Sequence, residues 1–159
     1  MAKEIQPIKR SKQLAPLSRE HHEGLLFVWK IRQGIKYNIV EERISSFCDW
    51  FWQHYLQQHF KKEELVLPQV LPASHPLMQQ MFKEHKVIKN RLHDVYEDSN
   101  YKMLEQLAQS INDHIRFEER QLFNEIEKAA TPQQLNELAE QLKDEKKDAV
   151  WEDKFWMKR

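Results

Sequence analysis

Apolar residues recur along most of the chain at steps of three and four residues, with polar residues between them. This spacing keeps one face of a helix apolar, whereas a half-buried strand would alternate at every second residue. The pattern predicts four long helices, over about residues 14–37, 40–67, 76–98 and 101–128. The first of them places Leu14, Leu17, His21, Leu25, Val28, Ile31 and Ile35 on one stripe.

Residues that favour turns separate the predicted helices. Asn38 tolerates turn geometry and is expected to end the first helix. Pro68 and Pro72 enclose a loop, and Pro76 suits the first turn of the third helix, where no backbone N–H is needed. With only two glycines and six prolines, the chain has few places for the tight turns of an all-β fold. The predicted fold class is all-α.

The chain divides into three predicted parts. Residues 1–13 are polar and basic and are expected to form a flexible N-terminal segment, and residues 14–130 form the four-helix bundle. Residues 131–159 form a short fifth helix and a tail, because Thr131 is a good N-cap residue ahead of Pro132.

The tail is charged but also contains Trp151, Phe155 and Trp156. We expect these aromatic rings to dock on the bundle or on another copy of the chain, which makes a homodimer a candidate assembly. They are not expected to build a site.

Charge and cysteine content narrow the classes of function. Lys plus Arg and Asp plus Glu each total 25, so no excess of positive charge attracts nucleic acid or an anionic membrane. No signal peptide or transmembrane run is expected from the hydropathy pattern. Cys48 is the only cysteine, which excludes an internal disulfide and agrees with a cytoplasmic location.

Two predicted helices contain the same local motif, a histidine followed four residues later by a glutamate. His59 precedes Glu63 in HFKKEE, and His114 precedes Glu118 in HIRFEE. Residues four apart in a helix lie about 40° apart on one face, so each pair can point at a common centre. The next glutamates in the two motifs, Glu64 and Glu119, are rotated roughly 100° outward and are expected to be solvated or to lie behind the ligands.

The other two long helices each place a histidine where the periodicity expects an apolar residue. His21 and His85 lie on apolar stripes; His22 is the alternative to His21 if the helix is rotated. A single histidine on an apolar face is more often a hydrogen-bonded core residue than a ligand. Four buried imidazoles and two buried carboxylates together are costly unless they bind a cation, and such a set suits one or, better, two first-row metal ions.

The motifs SREHHEGL, HFKKEELVLP, MFKEH and HIRFEERQLF, over about residues 14–128, resemble the hemerythrin-like, or HHE cation-binding, domain family. The resemblance implies an antiparallel up-and-down four-helix bundle and a non-haem di-iron centre bridged by carboxylates. The implied ligands are His21, His59, Glu63, His85, His114 and Glu118, with His22 and Glu119 as weaker candidates. Glu63 and Glu118 would be the bridging residues.

Two positions depart from the pattern of the oxygen-carrying members. Met81 stands where those members have a second histidine, one turn before the position of His85. They also have an aspartate five residues after the last histidine, where this chain offers Glu118 at four residues and Glu119 at five. The loss of one imidazole leaves a position open for water, an added ligand or a side chain from elsewhere in the chain.

These features predict a protein that binds two iron ions, with zinc or manganese as alternatives, and takes O2 or NO for sensing, storage or detoxification. One alternative is a di-iron oxidase, a peroxidase-like enzyme or an iron-cluster repair protein. A different alternative is a structural or interaction bundle whose site is vestigial or filled with zinc.

Overall fold

The computed structural model describes residues 10–143 and 149–157, and the regular structure in these ranges is helical, without strands. The α-helices are α1 (Ala15–Lys36), α2 (Glu41–Phe51), α3 (Gln57–Val66), α4 (Pro76–Glu97), α5 (Tyr101–Phe117), α6 (Phe123–Ala129) and α7 (Pro132–Gln141). A 3-10 turn (Leu67–Gln69) follows α3. The chain is a helical bundle, as predicted.

Two of the long helices are interrupted by a π-helical turn. The first π segment (Trp52–Leu56) joins α2 to α3, and the second (Glu118–Leu122) joins α5 to α6. In each, an N–H donates to the carbonyl five residues earlier, Gln57 to Trp52 and Phe123 to Glu118. Such a turn adds one residue and shifts the angular phase of everything after it. The periodicity had predicted uninterrupted helices here.

The predicted helix ends are confirmed. Asn38 adopts a left-handed backbone conformation (φ 54°) directly after α1. Pro76 lies in the first turn of α4, where the His75 side chain accepts a hydrogen bond from the Leu77 N–H. Thr131 caps α7 in a reciprocal pair of hydrogen bonds with Gln134. Across the described ranges, no helix has the length and apolarity needed to cross a membrane.

The four long helical stretches pack in a ring in which α1 contacts α5, α5 contacts α4, α4 contacts α2, and α2 contacts α1. Their buried side chains form two apolar clusters. One contains Phe27, Phe47, Phe60, Ile88, Leu107, Ile111 and Ile115 among others, and the second contains Leu14, Leu17, Val66, Met81, Leu122, Phe123 and Ile126 among others. On α4, His85 lies between Met81 of the second cluster and Ile88 of the first, so a polar layer separates the two apolar clusters.

The first helix is rotated slightly from its predicted orientation. Leu25, which we placed on the buried stripe, is 40% exposed, and Gly24 is buried beside it. A Cβ at Gly24 would lie 2.8 Å from the Ile115 Cδ1 atom. Glycine therefore permits the close approach of α1 and α5 at this point.

The described part of the C-terminal tail packs on the bundle. Phe155 is buried against Phe47, and the Arg43 Nε–H donates to Asp153 at 2.9 Å. This confirms that the tail aromatics contact the bundle. Residues 144–148 and 158–159 of the tail lie outside the described residues.

Residues 1–9 of the predicted N-terminal segment also lie outside the described residues. Arg10, within that segment, donates to Glu119 at 3.0 Å and to Glu127 at 2.7 Å. These contacts were not predicted, because an arginine in a polar stretch has no periodic signature.

Candidate metal centre

The polar layer of the bundle is made of six buried side chains, one or two from each long helical stretch. They are His21, His59, Glu63, His85, His114 and Glu118, the residues predicted as ligands. The four histidines are 3–4% exposed and the two glutamates are 0% exposed. The sequence therefore predicted correctly which polar residues the bundle buries together, and it identified His21 rather than the exposed His22.

The two glutamates lie at the centre of the layer. Glu63 places Oε2 3.3 Å from Nε2 of His59 and Oε1 3.1 Å from Nε2 of His85. Glu118 places Oε1 2.9 Å from Nε2 of His21 and 3.1 Å from Nε2 of His114. Each carboxylate therefore contacts histidines from two helices.

The six residues divide into two groups that share both glutamates. One group contains His21 and His59 with Glu63 and Glu118, and the other contains His85 and His114 with the same two glutamates. Within each group, the ligand atoms lie within 4.8 Å of one another. Two adjacent cation sites with two common carboxylates fit this arrangement.

Several of these inward atoms are buried without a hydrogen-bond partner of suitable geometry. They are both carboxylate oxygens of Glu63, Oε2 of Glu118, and Nε2 of His59, His85 and His114. Buried polar atoms are almost always satisfied, and leaving one unpaired costs on the order of 1–3 kcal/mol. A cluster of unsatisfied nitrogen and carboxylate atoms that face one another fits cations better than it fits a hydrogen-bonded core.

The outward nitrogen of every histidine contacts a further carboxylate. The Nδ1 atoms lie 3.0 Å from Glu119 for His21, 3.1 Å from Glu20 for His59, 2.7 Å from Glu64 for His85 and 2.7 Å from Glu84 for His114. An ionised carboxylate only accepts hydrogen bonds, so Nδ1 carries the proton in each pair. The Nε2 atom then faces the centre.

The electrostatics of the layer favour charged imidazoles in the absence of metal. Burial lowers the pKa of the histidines, but nearby carboxylates outweigh it and raise the pKa of His59 to about 10, of His85 to about 11 and of His114 to about 9. The pKa of His21 is raised in the same way by Glu118 and Glu119. Burial raises the pKa of Glu118, but His114, His21 and His85 lower it well below its usual range. The layer thus holds either protons or metal cations.

Other residues near the layer are not among its six inward side chains. Glu119, the weaker candidate, binds the outer nitrogen of His21 and the guanidinium of Arg10. Met81 is fully buried in the second apolar cluster, one turn before His85. Glu84, the residue before His85, contacts His114. Glu20 was not predicted at all, although its position next to His21 resembles that of Glu84 next to His85.

Phenyl rings stack face to face on two of the imidazoles. Phe60 stacks on His85 with ring centroids 3.8 Å apart and an interplanar angle of 11°. Phe123 stacks on His21 at 5.3 Å and 4°. These stacks shield one side of each imidazole from water.

A cavity of about 350 Å³ opens beside the other side of the layer. Three of the histidines contribute to its wall, together with apolar side chains from α2, the first π segment, α3 and α5 and charged side chains from α1; the lining includes His21, His59, His114, Phe51, Leu56, Phe60, Ile111, Ile115, Arg19, Glu20 and Glu23. Since one water occupies about 30 Å³ of the liquid, the cavity has room for a small molecule next to the imidazoles.

A buried layer of histidines and carboxylates inside a helical bundle defines a cation-binding helical protein. The chain matches the family model of the hemerythrin HHE cation binding domain over residues 13–126, most of its length, and so belongs to that family. The resemblance noted in the sequence is confirmed. Comparisons with curated proteins and with solved structures give no match.

Proposed function

We propose that the chain is a non-haem di-iron protein that binds a diatomic gas, O2 or NO. In this proposal the four long helical stretches form an antiparallel up-and-down bundle around the centre. His21 and His59 hold one ion, His85 and His114 hold the other, and Glu63 and Glu118 bridge the two. The observation that carries the proposal is the pair of four-residue groups that share both buried glutamates.

The charge of the layer supports the occupancy of two divalent ions. Four protonated imidazoles with two carboxylates carry the same net charge as two divalent ions with two carboxylates and four neutral imidazoles. Exchange of four protons for two such ions therefore leaves the net charge of the layer unchanged.

The type of ligand atom favours iron, with zinc or manganese as alternatives. Imidazole and carboxylate ligands suit Fe, Zn and Mn, and among the described residues no thiolate enters the layer, because Cys48 is buried in the first apolar cluster. Two imidazoles and two carboxylates leave positions open on an ion that prefers five or six ligands. Iron bound there would supply electrons to a diatomic ligand; this chemistry belongs to the metal.

The chain's own residues would admit and shelter the gas. The cavity would lead a small molecule to His21, His59 and His114, along a wall that includes the apolar side chains of Phe51 and Ile111. Met81 contributes no imidazole, so each ion would be held by two histidines and the two glutamates, which would leave positions for an added ligand. The single buried cysteine agrees with the proposed cytoplasmic location.

Elemental analysis of protein produced with iron, together with an ultraviolet–visible spectrum before and after exposure to air or NO, tests the proposal. We expect close to two irons per chain, and absorption bands that change when gas is added to the reduced protein. His59→Ala and His114→Ala should each lower iron content and thermal stability together, because ligand binding to the native state stabilises it.

Two results would contradict the proposal. Wild-type protein that takes up no metal, or both alanine variants with unchanged metal content, would exclude the assigned ligands. Two irons per chain without any spectral response to O2 or NO would leave the metal centre in place and exclude the gas. The exposed His22→Ala variant is the matched control, because its side chain lies outside the layer.

A further inference from the structure

Each long helical stretch provides one outer glutamate that contacts a histidine of the next stretch, always in the same direction around the bundle. Glu20 of α1 contacts His59 of α3, and Glu64 of α3 contacts His85 of α4. Glu84 of α4 contacts His114 of α5, and Glu119 of the second π segment contacts His21 of α1. The four pairs close a ring around the bundle.

Each of these glutamates is next in sequence to an inward residue, but its carboxylate contacts a histidine on another helix. Glu20 precedes His21, Glu84 precedes His85, and Glu64 and Glu119 follow the two central glutamates. A step of one residue turns a helical side chain by about 100°, from the centre of the bundle toward the adjacent helix. The ring therefore follows from four helices that each carry an inner residue beside a glutamate.

We propose that Glu20, Glu64, Glu84 and Glu119 are a closed ring of positioning residues, each of which fixes the tautomer and ring orientation of the metal-binding histidine on the neighbouring helix. This inference rests on the proposed metal function. A histidine that donates its Nδ1–H to a carboxylate keeps the lone pair of Nε2 for the metal, and the carboxylate raises its basicity. Removal of a glutamate should therefore affect the next helix rather than its own.

The four ring glutamates divide into two pairs, one for each proposed ion. Glu20 and Glu119 orient His59 and His21, the histidines of one ion. Glu64 and Glu84 orient His85 and His114, the histidines of the other. Each glutamate thus belongs to one ion only, unlike Glu63 and Glu118, which contact both groups.

Basic side chains contact the two ring glutamates that orient the histidines of the first ion. Lys62 lies 2.9 Å from Glu20, and Arg10 lies 3.0 Å from Glu119. On the side of the second ion, Glu84 accepts a hydrogen bond from the Gln80 amide at 2.8 Å. These contacts limit the rotamers of the carboxylates and so preorganise the ring.

Zinc titration of metal-free protein, with nitrogen-15 NMR of the imidazoles in the zinc-loaded state, tests the ring. The variants are Glu84→Gln and Glu20→Gln, which keep the shape of the side chain and remove its charge. Glu97→Gln is the control, since Glu97 is exposed on α4, the helix that carries Glu84. Zinc is the probe because it is diamagnetic and accepts the same ligands.

For Glu84→Gln we expect one of the two zinc ions to bind about 10- to 100-fold more weakly, the usual effect of losing an outer carboxylate. The Nδ1 resonance of His114 should shift while that of His85, the sequence neighbour, stays in place. Glu20→Gln should weaken the other ion and shift His59 but not His21. The control should match the wild type.

The ring is overturned, with the metal function intact, if wild type binds two zinc ions and both variants bind them equally well with unshifted His114 and His59. It is also overturned if the affected histidine is the sequence neighbour, because the effect would then be local to one helix. Wild-type protein that binds no zinc overturns both the ring and the proposed metal function.

Discussion

The two copies of the His-x-x-x-Glu motif look alike in their inner contacts and differ in the backbone around them. The distance from Nε2 to the glutamate oxygen is 3.3 Å for His59 and Glu63 and 3.1 Å for His114 and Glu118. Both glutamates are fully buried. The motif alone therefore accounts for the inward geometry in both helices.

The π segments lie on opposite sides of the two motifs. In the helix of His59 the π segment ends at Leu56, before the motif, and in the helix of His114 it begins at Glu118, inside the motif. The first shifts the phase between α2 and the ligands, whereas the second shifts the phase between the ligands and α6. The motif is therefore out of phase with the preceding apolar face in the helix of His59 and with the following apolar face in the helix of His114.

The largest expected effect tests what the copies have in common. Glu63→Gln and Glu118→Gln should each reduce bound iron from close to two per chain to near zero, because each carboxylate contacts histidines of both groups. Elemental analysis after dialysis measures the loss. If either variant retains one iron, its glutamate does not bind both ions, and the two copies of the motif are not equivalent. Circular dichroism of the metal-free variants shows whether the fold itself survives.

An intermediate effect tests how the copies differ. Insertion of one alanine after the exposed Gln53 should turn α3 by about 100° relative to α2, because the first π segment already absorbs one added residue; iron content and the free energy of unfolding should both fall, the latter by about 3 kcal/mol or more. Insertion of one alanine after the exposed Gln121 should displace Phe123 and Ile126 and lower stability, with a smaller loss of iron, because the six inward residues precede it and the disturbance reaches them through the stack of Phe123 on His21. Thermal melts and iron assays on both insertions measure these effects; equal iron loss would mean that the π segments do not act on opposite sides.

The smallest expected effect is the pH dependence of the metal-free protein. The pKa of His59 rises to about 10 and that of His114 to about 9 in the folded state, against about 6.5 for an unfolded histidine. Since the folded state binds these protons more tightly, their contribution to stability is complete below pH about 6.5 and is lost as pH rises through about 9 to 10. The Tm of metal-free protein should fall by several degrees over this window, first through His114. Metal-loaded protein should show less change, and a rising Tm of the metal-free form would contradict the charged layer.

Much of this architecture follows from local patterns. Helix ends at Asn38, Pro76 and Thr131 carry strong turn or cap signals, and His85 was found because it interrupts an apolar stripe. That the six buried residues bind metal stays a prediction.

The features that sequence reasoning missed depend on neighbouring helices. Glu20 and Glu84 look solvated when one helix is considered alone, since their phase turns them off the apolar face; only the adjacent helix gives each a histidine. The π segments were missed because a single added residue leaves apolar side chains at nearly regular steps. The burial of Gly24 in place of Leu25 was missed because it depends on the neighbouring helix: a Cβ at Gly24 would lie 2.8 Å from the Ile115 Cδ1 atom of α5.

The stack of Phe60 on His85 brings the centre within one aromatic ring of a tryptophan. Trp52 packs edge-on against Phe60, with ring centroids 5.8 Å apart, so one phenyl ring separates an indole from an imidazole of the centre. Iron bound next to His85 would lie close enough to quench the emission of Trp52 by energy or electron transfer. The protein therefore contains its own fluorescent reporter of occupancy, and Trp52→Phe would identify its share of the signal without altering the imidazoles.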